Sequence, residues 1–135
     1  MPAFGKISKQ RLATCDQRLI NLFEEVVKEY DCTIICGHRT KAKQNKAFHD
    51  GFSTLQFPQS KHNLNPSIAV DVAPYFLQKP HIRWNDTKSF ILFAGYVKGI
   101  ATSQGLKIRW GGDWDNDWDV TDQTFNDLPH FELIE

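Results

Sequence analysis

Four side chains in this sequence have types and spacing suited to metal-assisted hydrolysis: His62, Asp71 nine residues later, and the pair Asp127 and His130 three apart near the C-terminus. Two imidazoles and a carboxylate are a common catalytic zinc set, because three protein ligands leave the fourth tetrahedral position to a water. The remaining acid, Asp127, is then a candidate base for that water. Five histidines and many aspartates would offer some such combination in any chain of this kind. The wording around these four residues narrows the choice.

That wording is SKHNLNPSIAVDVAPY over residues 60–75, GGDW over 111–114, DLPHFEL over 127–133 and GHRTKAKQ over 37–44. It resembles the zinc peptidases that cut peptidoglycan stem peptides, a superfamily containing lysostaphin-type enzymes, D-Ala-D-Ala carboxypeptidases and the hedgehog domain. Within it the chain looks most like the phage endolysins that are L-alanyl-D-glutamate endopeptidases. One departure stands out. The commonest pattern, SxHxxGxAxD, has a shorter gap, and here Asn65-Pro66-Ser67 replaces the glycine and lengthens it by two residues, which a loop absorbs at little entropic cost.

The resemblance implies one zinc per chain on His62, Asp71 and His130, with Asp127 passing protons between water, peptide and leaving amine. Arg39 matches an arginine that faces the active site, where its fork suits a developing oxyanion or a substrate carboxylate. Gln44 belongs to the same motif with a positional part, and Ser60 and Trp114 are grouped with it and Arg39 as substrate-facing residues. Zinc-ligating imidazoles also need outer-shell partners; Ser60 and Glu132 are near in sequence, and sequence assigns that role to neither. His38, His49 and His81 lack motif partners and stay outside the set.

Two rivals remain beside the endopeptidase reading. A D-Ala-D-Ala carboxypeptidase or dipeptidase would keep the chemistry and change the bond. A non-catalytic zinc-containing wall-binding module would keep only the metal, and Asp127 argues against it, because a structural site has no use for a free acid beside an open position.

Equal counts of Lys+Arg and Asp+Glu, 16 each, argue against a dedicated nucleic-acid binder. Lys41, Lys43 and Lys46 form a local basic cluster. After Arg109 there is no Lys or Arg, while Asp113, Asp115, Asp117, Asp119, Asp122, Asp127, Glu132 and Glu135 follow. As an EF-hand the run from Asp113 fails, with Trp118 where glycine is needed and Thr124 where glutamate is needed. A second, regulatory divalent ion of another kind near Asp113 to Asp119 stays open.

Three cysteines do not read as a secreted disulfide framework. Cys32 and Cys36 on one strand would lie roughly 13 Å apart, beyond disulfide reach, and are expected as buried thiols in a reducing compartment. The N-terminus, MPAFGKISKQRLATC, has no apolar h-region and no run approaches membrane-spanning length. The expectation is a monomer without signal peptide or stable membrane insertion. It would stay in the host cytoplasm until lysis, reach the periplasm and cell wall through a holin-like protein, and act there on peptidoglycan stem peptides.

The elements that must position these residues follow from periodicity. Thr14-Cys15-Asp16-Gln17 has capping-box form, and Leu19, Leu22, Phe23, Val26, Val27 and Tyr30 recur at helical spacing, predicting a helix over 15–30. Residues 32–36 read as a buried strand ended by Gly37, and Thr40 caps a helix over 41–49. Residues 51–61 form a loop leading into His62. Over 68–73 the alternation puts Ile68, Val70 and Val72 on one face and Asp71, between Ala69 and Ala73, on the other. Asp86 caps a helix stopped by Gly105; a strand over 106–110, the Gly111-Gly112 turn, an acidic loop and a last strand from His130 complete the chain. Trp84, Trp110, Trp114 and Trp118 are expected mostly in the core, with Trp114 lining the cleft. The sum is one α+β domain over 1–135, a small mainly antiparallel sheet with about three helices, hedgehog/D-Ala-D-Ala peptidase-like.

Overall fold

The computed structural model describes residues 2–122 and 126–134, so Thr124 and Glu135 lie outside the described residues. Among the described residues four helices and four strands follow in the order α1 (Lys6–Leu12), α2 (Gln17–Glu29), β1 (Cys32–Cys36), α3 (Lys41–His49), β2 (Ala69–Pro74), α4 (Thr87–Ser103), β3 (Ile108–Trp110) and β4 (His130–Leu133), with a 3-10 turn at Lys61–Asn63. The strands form one antiparallel sheet in the order β1-β2-β4-β3. The α+β expectation therefore holds, with one helix more than the sequence announced.

That extra helix, α1, buries only Ser8 and Leu12, too narrow a stripe to show as periodicity. Its work is done by polar groups. Ser8 Oγ accepts from the Ile34 amide at 3.1 Å, and Arg11 Nη1 donates to the Ile34 carbonyl at 3.0 Å, so α1 satisfies the outer edge of β1 that would otherwise be open to pairing. The expected capping box on α2 is a second correction. The cap is Asp16, which accepts from the Arg18 amide, while the Thr14 hydroxyl donates to the Arg11 carbonyl and accepts from the His38 amide.

The sheet separates two environments. On one face Val70 and Val72 of β2 and Phe131 and Leu133 of β4 pack with Leu19, Leu22, Phe23 and Val26 of α2 and with Phe93, Ala94 and Val97 of α4. Phe131 sits edge-on to both Phe23 (5.5 Å between centroids) and Phe93 (6.0 Å); emptying such a position costs about 3–5 kcal/mol. The alternation along β2 and β4 sends Asp71, His130 and Glu132 to the opposite face. Register lines them up, since Asp71 faces His130 and Ala69 faces Glu132.

A bulge in β1 completes this row. Ile34 pairs with Val72 and Cys36 with Asp71, so two steps on β1 match one on β2. Without the extra residue Cys36 would share the core face of Cys32 and Ile34; with it, the thiol is turned to the face of Asp71, a use of bulges common beside functional sites. Cys36 is half-buried and Cys15 and Cys32 are buried, all as free thiols.

Candidate metal centre

His62 enters from the 3-10 turn, which is built as a small cap. Ser60 Oγ accepts from the His62 amide at 3.2 Å, and Asn63 Oδ1 accepts from the Ser60 amide at 3.0 Å. The His62 carbonyl accepts from the Arg39 amide at 2.8 Å, which ties the turn to the end of β1. From this frame His62 Nε2 reaches Asp71 Oδ1 at 3.2 Å, and His130 Nδ1 reaches the same oxygen at 3.3 Å. Both imidazoles are buried.

The second nitrogen of each ring is occupied. His62 Nδ1 donates to the Gly37 carbonyl at 2.8 Å, and His130 Nε2 donates to Glu132 Oε1 at 2.8 Å, which leaves His62 Nε2 and His130 Nδ1 as the ring nitrogens that could hold a metal. Of Glu132 and Ser60, it is Glu132 that bonds an imidazole of the site; Ser60 caps the turn that carries His62 and also lines the cleft. The backbone carbonyl of Gly37 is a partner that sequence reasoning did not find. A side chain at Gly37 would run into the Arg11 carbonyl, the Thr14 hydroxyl and the Cys15 thiol, a packing constraint that the motif letter alone does not explain.

Asp71 is held from a third side by Arg39 Nη2 at 3.4 Å from Oδ2. Burial opposes its ionisation, yet His62 and His130 hold the carboxyl well below its usual range. Burial likewise works against a charge on His62, but Asp71 outweighs it and raises the imidazole to about 10. Burial and the neighbouring Asp71 charge push the Asp127 carboxyl up. Its Oδ2 lies 4.0 Å from His130 Nδ1, on a side chain that keeps 39% of its surface. A part-exposed acid with a raised pKa at the rim of a cleft has the properties of a proton carrier.

The position of Asp127 depends on Gly111. The Asp127 amide donates to the Gly111 carbonyl and the Gly111 amide to the His130 carbonyl, each at 2.8 Å; a methyl group on Gly111 would overlap the Asp127 carbonyl oxygen. The double glycine is therefore a site for close backbone approach as well as a turn.

Gln44, grouped with the substrate-facing residues, has no exposed surface. Its Oε1 accepts from Arg39 Nη1 at 2.9 Å and Asn63 Nδ2 at 3.3 Å, and its Nε2 donates to Ser53 Oγ and the Leu55 carbonyl. It holds Arg39 and the loop over 51–61 in place and is out of reach of a substrate. Arg39 itself lines a cleft of about 310 Å³ with Leu55, His62, Asp71, Asp127 and His130. Trp114 lines it too, its ring 5.4 Å from that of His130.

Two donor groups with atoms mutually within 4.8 Å could hold a metal here, Asp71-Asp127-His130 and Cys36-His62-Asp71. Asp71 belongs to both, and Cys36 is a donor the sequence reading set aside. The acidic loop supplies a third group, Asp113-Asp115-Asp117. Within it, Asp113 is buried against Lys98 at 3.2 Å and accepts from the amides of Asp117 and Trp118, contacts that explain its burial by themselves.

The family model for phage L-alanyl-D-glutamate peptidase matches residues 2–134. The L-alanyl-D-glutamate peptidase of Escherichia phage T5 is 32% identical over 136 residues, covering 97% of each chain. The crystal structure of the Serratia marcescens L-Ala D-Glu endopeptidase ChiX shares the fold, with a TM-score of 0.78 at 22% identity over 98% of this chain and 91% of that one. On the strength of the match along its length, the chain belongs to the phage L-alanyl-D-glutamate peptidase family.

Proposed function

We propose that this protein is a zinc-dependent endopeptidase that hydrolyses the L-alanyl-D-glutamate bond of peptidoglycan stem peptides during phage-driven lysis. The observation that carries the reading is the convergence of His62 Nε2 and His130 Nδ1 on Asp71 Oδ1, with a raised-pKa carboxyl, Asp127, beside them. The donor set fits zinc: two imidazole nitrogens and one carboxylate, with each ring fixed in one tautomer from behind. His62, Asp71 and His130 would hold the ion, which when bound supplies a Lewis acid and lowers the pKa of water to near 7.

The chain's own residues do the rest. Asp127 takes a proton from the attacking water and returns one to the amine of the departing D-glutamate, so its carboxyl must exchange a proton within each turnover. Arg39 keeps Asp71 oriented through Oδ2 while facing the cleft, where its charge suits the developing oxyanion or the α-carboxylate of the γ-linked D-glutamate. Glu132 holds His130, and Gln44 holds Arg39. No helix among the described residues is long and apolar enough to cross a membrane, and passage to the wall through a separate holin-like protein fits that.

Digestion of purified peptidoglycan tests the assignment. New amino termini on D-glutamate, no free D-alanine and unbroken glycan strands are expected. Release of D-alanine would favour the carboxypeptidase instead, and new reducing sugar ends would point to a glycosidase.

A further inference from the structure

Asp127 borders two hollows. On its other side from the cleft lies a second one of about 490 Å³, of a size that binds small molecules. Phe90 and Trp110 are buried there, and its open rim mixes apolar Trp84, Ile91 and Val120, with relative exposures of 52%, 37% and 39%, with exposed polar Thr87 and Asn126. Trp84, which composition suggested for the core, instead lies over Phe90 with ring planes 23° apart and 6.1 Å between centroids. Asp127 is the sole charged residue lining this hollow among those described.

We propose that this hollow is the subsite for the third residue of the stem peptide, the diamino acid that follows D-glutamate. The inference rests on the endopeptidase reading above. Asp127 donates to the departing amine, so the D-glutamate side of the cut bond leaves past Asp127 and the L-alanine side, with its sugar, stays on the other. What continues past D-glutamate is the γ-linked diamino acid, whose side chain is a run of methylenes that leads to a second amino group. Trp84, Ile91 and Val120 offer an apolar surface matched to those methylenes, and the absence of a cation among the described lining residues does not suit the D-glutamate α-carboxylate. Among the described residues Asp127 is the one that lines both hollows, and it sets the register between the scissile bond and the subsite.

The test compares two soluble substrates of equal charge near the bond: N-acetylmuramyl-L-Ala-D-Glu with its γ-carboxyl capped as a methylamide, and the corresponding tripeptide carrying the diamino acid. The zinc-loaded parent protein should prefer the tripeptide through a lower KM. Trp84→Ala should raise the tripeptide KM about tenfold, the scale of lost apolar pocket contact, with kcat and the capped dipeptide unaffected; Ile91→Ala, on the open face of α4, should do the same more weakly. Unchanged zinc affinity and thermal unfolding in both variants would confirm intact folding. Equal loss on both substrates, full tripeptide activity in both variants, or no parental preference for the tripeptide would overturn the subsite. Failure of the parent to cut either substrate would overturn the endopeptidase reading itself.

Discussion

Glu132 is buried, with Oε1 2.8 Å from His130 Nε2 and Oε2 2.6 Å from Lys61 and 3.4 Å from Arg109. Burial opposes its ionisation, but His130 and Lys61 prevail and bring the carboxyl to about 2, so it is an anion at any working pH. Glu132→Gln keeps the shape and an acceptor oxygen for His130 while removing the charge that makes the imidazole a better donor. Outer-shell carboxylates of this kind are worth about 10–100-fold in metal affinity, or about 1.4–2.8 kcal/mol. The amide should fall near the lower end, and Glu132→Ala, which also frees the ring to rotate and leaves Lys61 and Arg109 without their shared partner, near the upper. Zinc competition against a chromophoric chelator at neutral pH reads this directly, with thermal unfolding as the check on folding. Unchanged affinity in both variants would refute the outer-shell role; a loss as complete as that of His130→Ala would mean that Glu132 is itself a ligand.

Asp127→Asn should keep zinc and lose about 10²–10⁴-fold in turnover; loss of metal as well would make Asp127 a ligand, as its place beside Asp71 and His130 allows. Gly111→Ala should lower kcat by up to about 10²-fold through displacement of Asp127 with zinc affinity near that of the parent, which chelator competition and steady-state kinetics together would check. In the metal-free protein His62 is raised from 6.5 to about 10 and Asp71 lowered from 3.8. The His62 contribution to stability is complete below 6.5 and lost as pH rises toward 10, and that of Asp71 is present above 3.8 and lost on acidification. Melting temperature without metal should therefore peak between those limits and fall on the alkaline side, whereas zinc, which requires neutral imidazoles, should flatten the alkaline fall; parallel profiles with and without zinc would count against the ligand set.

The residues proposed for the chemistry were legible through the wording around them, and the structure brings His62, Asp71, His130 and Asp127 to the lining of one cleft. Their supports were less so. Gly37 works through a carbonyl, and a carbonyl has no letter of its own. Cys36 reached the face of Asp71 through a bulge, and pairing register is a property of two strands that neither shows alone. Gln44 was grouped with the substrate-facing residues through its motif; four hydrogen bonds make its full burial acceptable and leave it the positional part. Helix α1 escaped because it docks through Ser8 and Arg11 rather than through an apolar stripe. The longer gap before Asp71 was correctly read as loop, and its extra residues sit at the surface, where Leu64, Asn65 and Pro66 are exposed.

The opposition of the two sheet faces has a consequence for timing. Phe23, Phe93 and Phe131 close the core without help from His62, Asp71 or His130, so the chain can finish folding before it meets an ion. A metal ion would then enter a finished cleft in exchange for protons, and loading would become a question of ion supply and exchange rate after synthesis. Folded but unloaded molecules would accumulate as a dormant reserve, and the onset of wall cleavage could be set by how fast that reserve is charged.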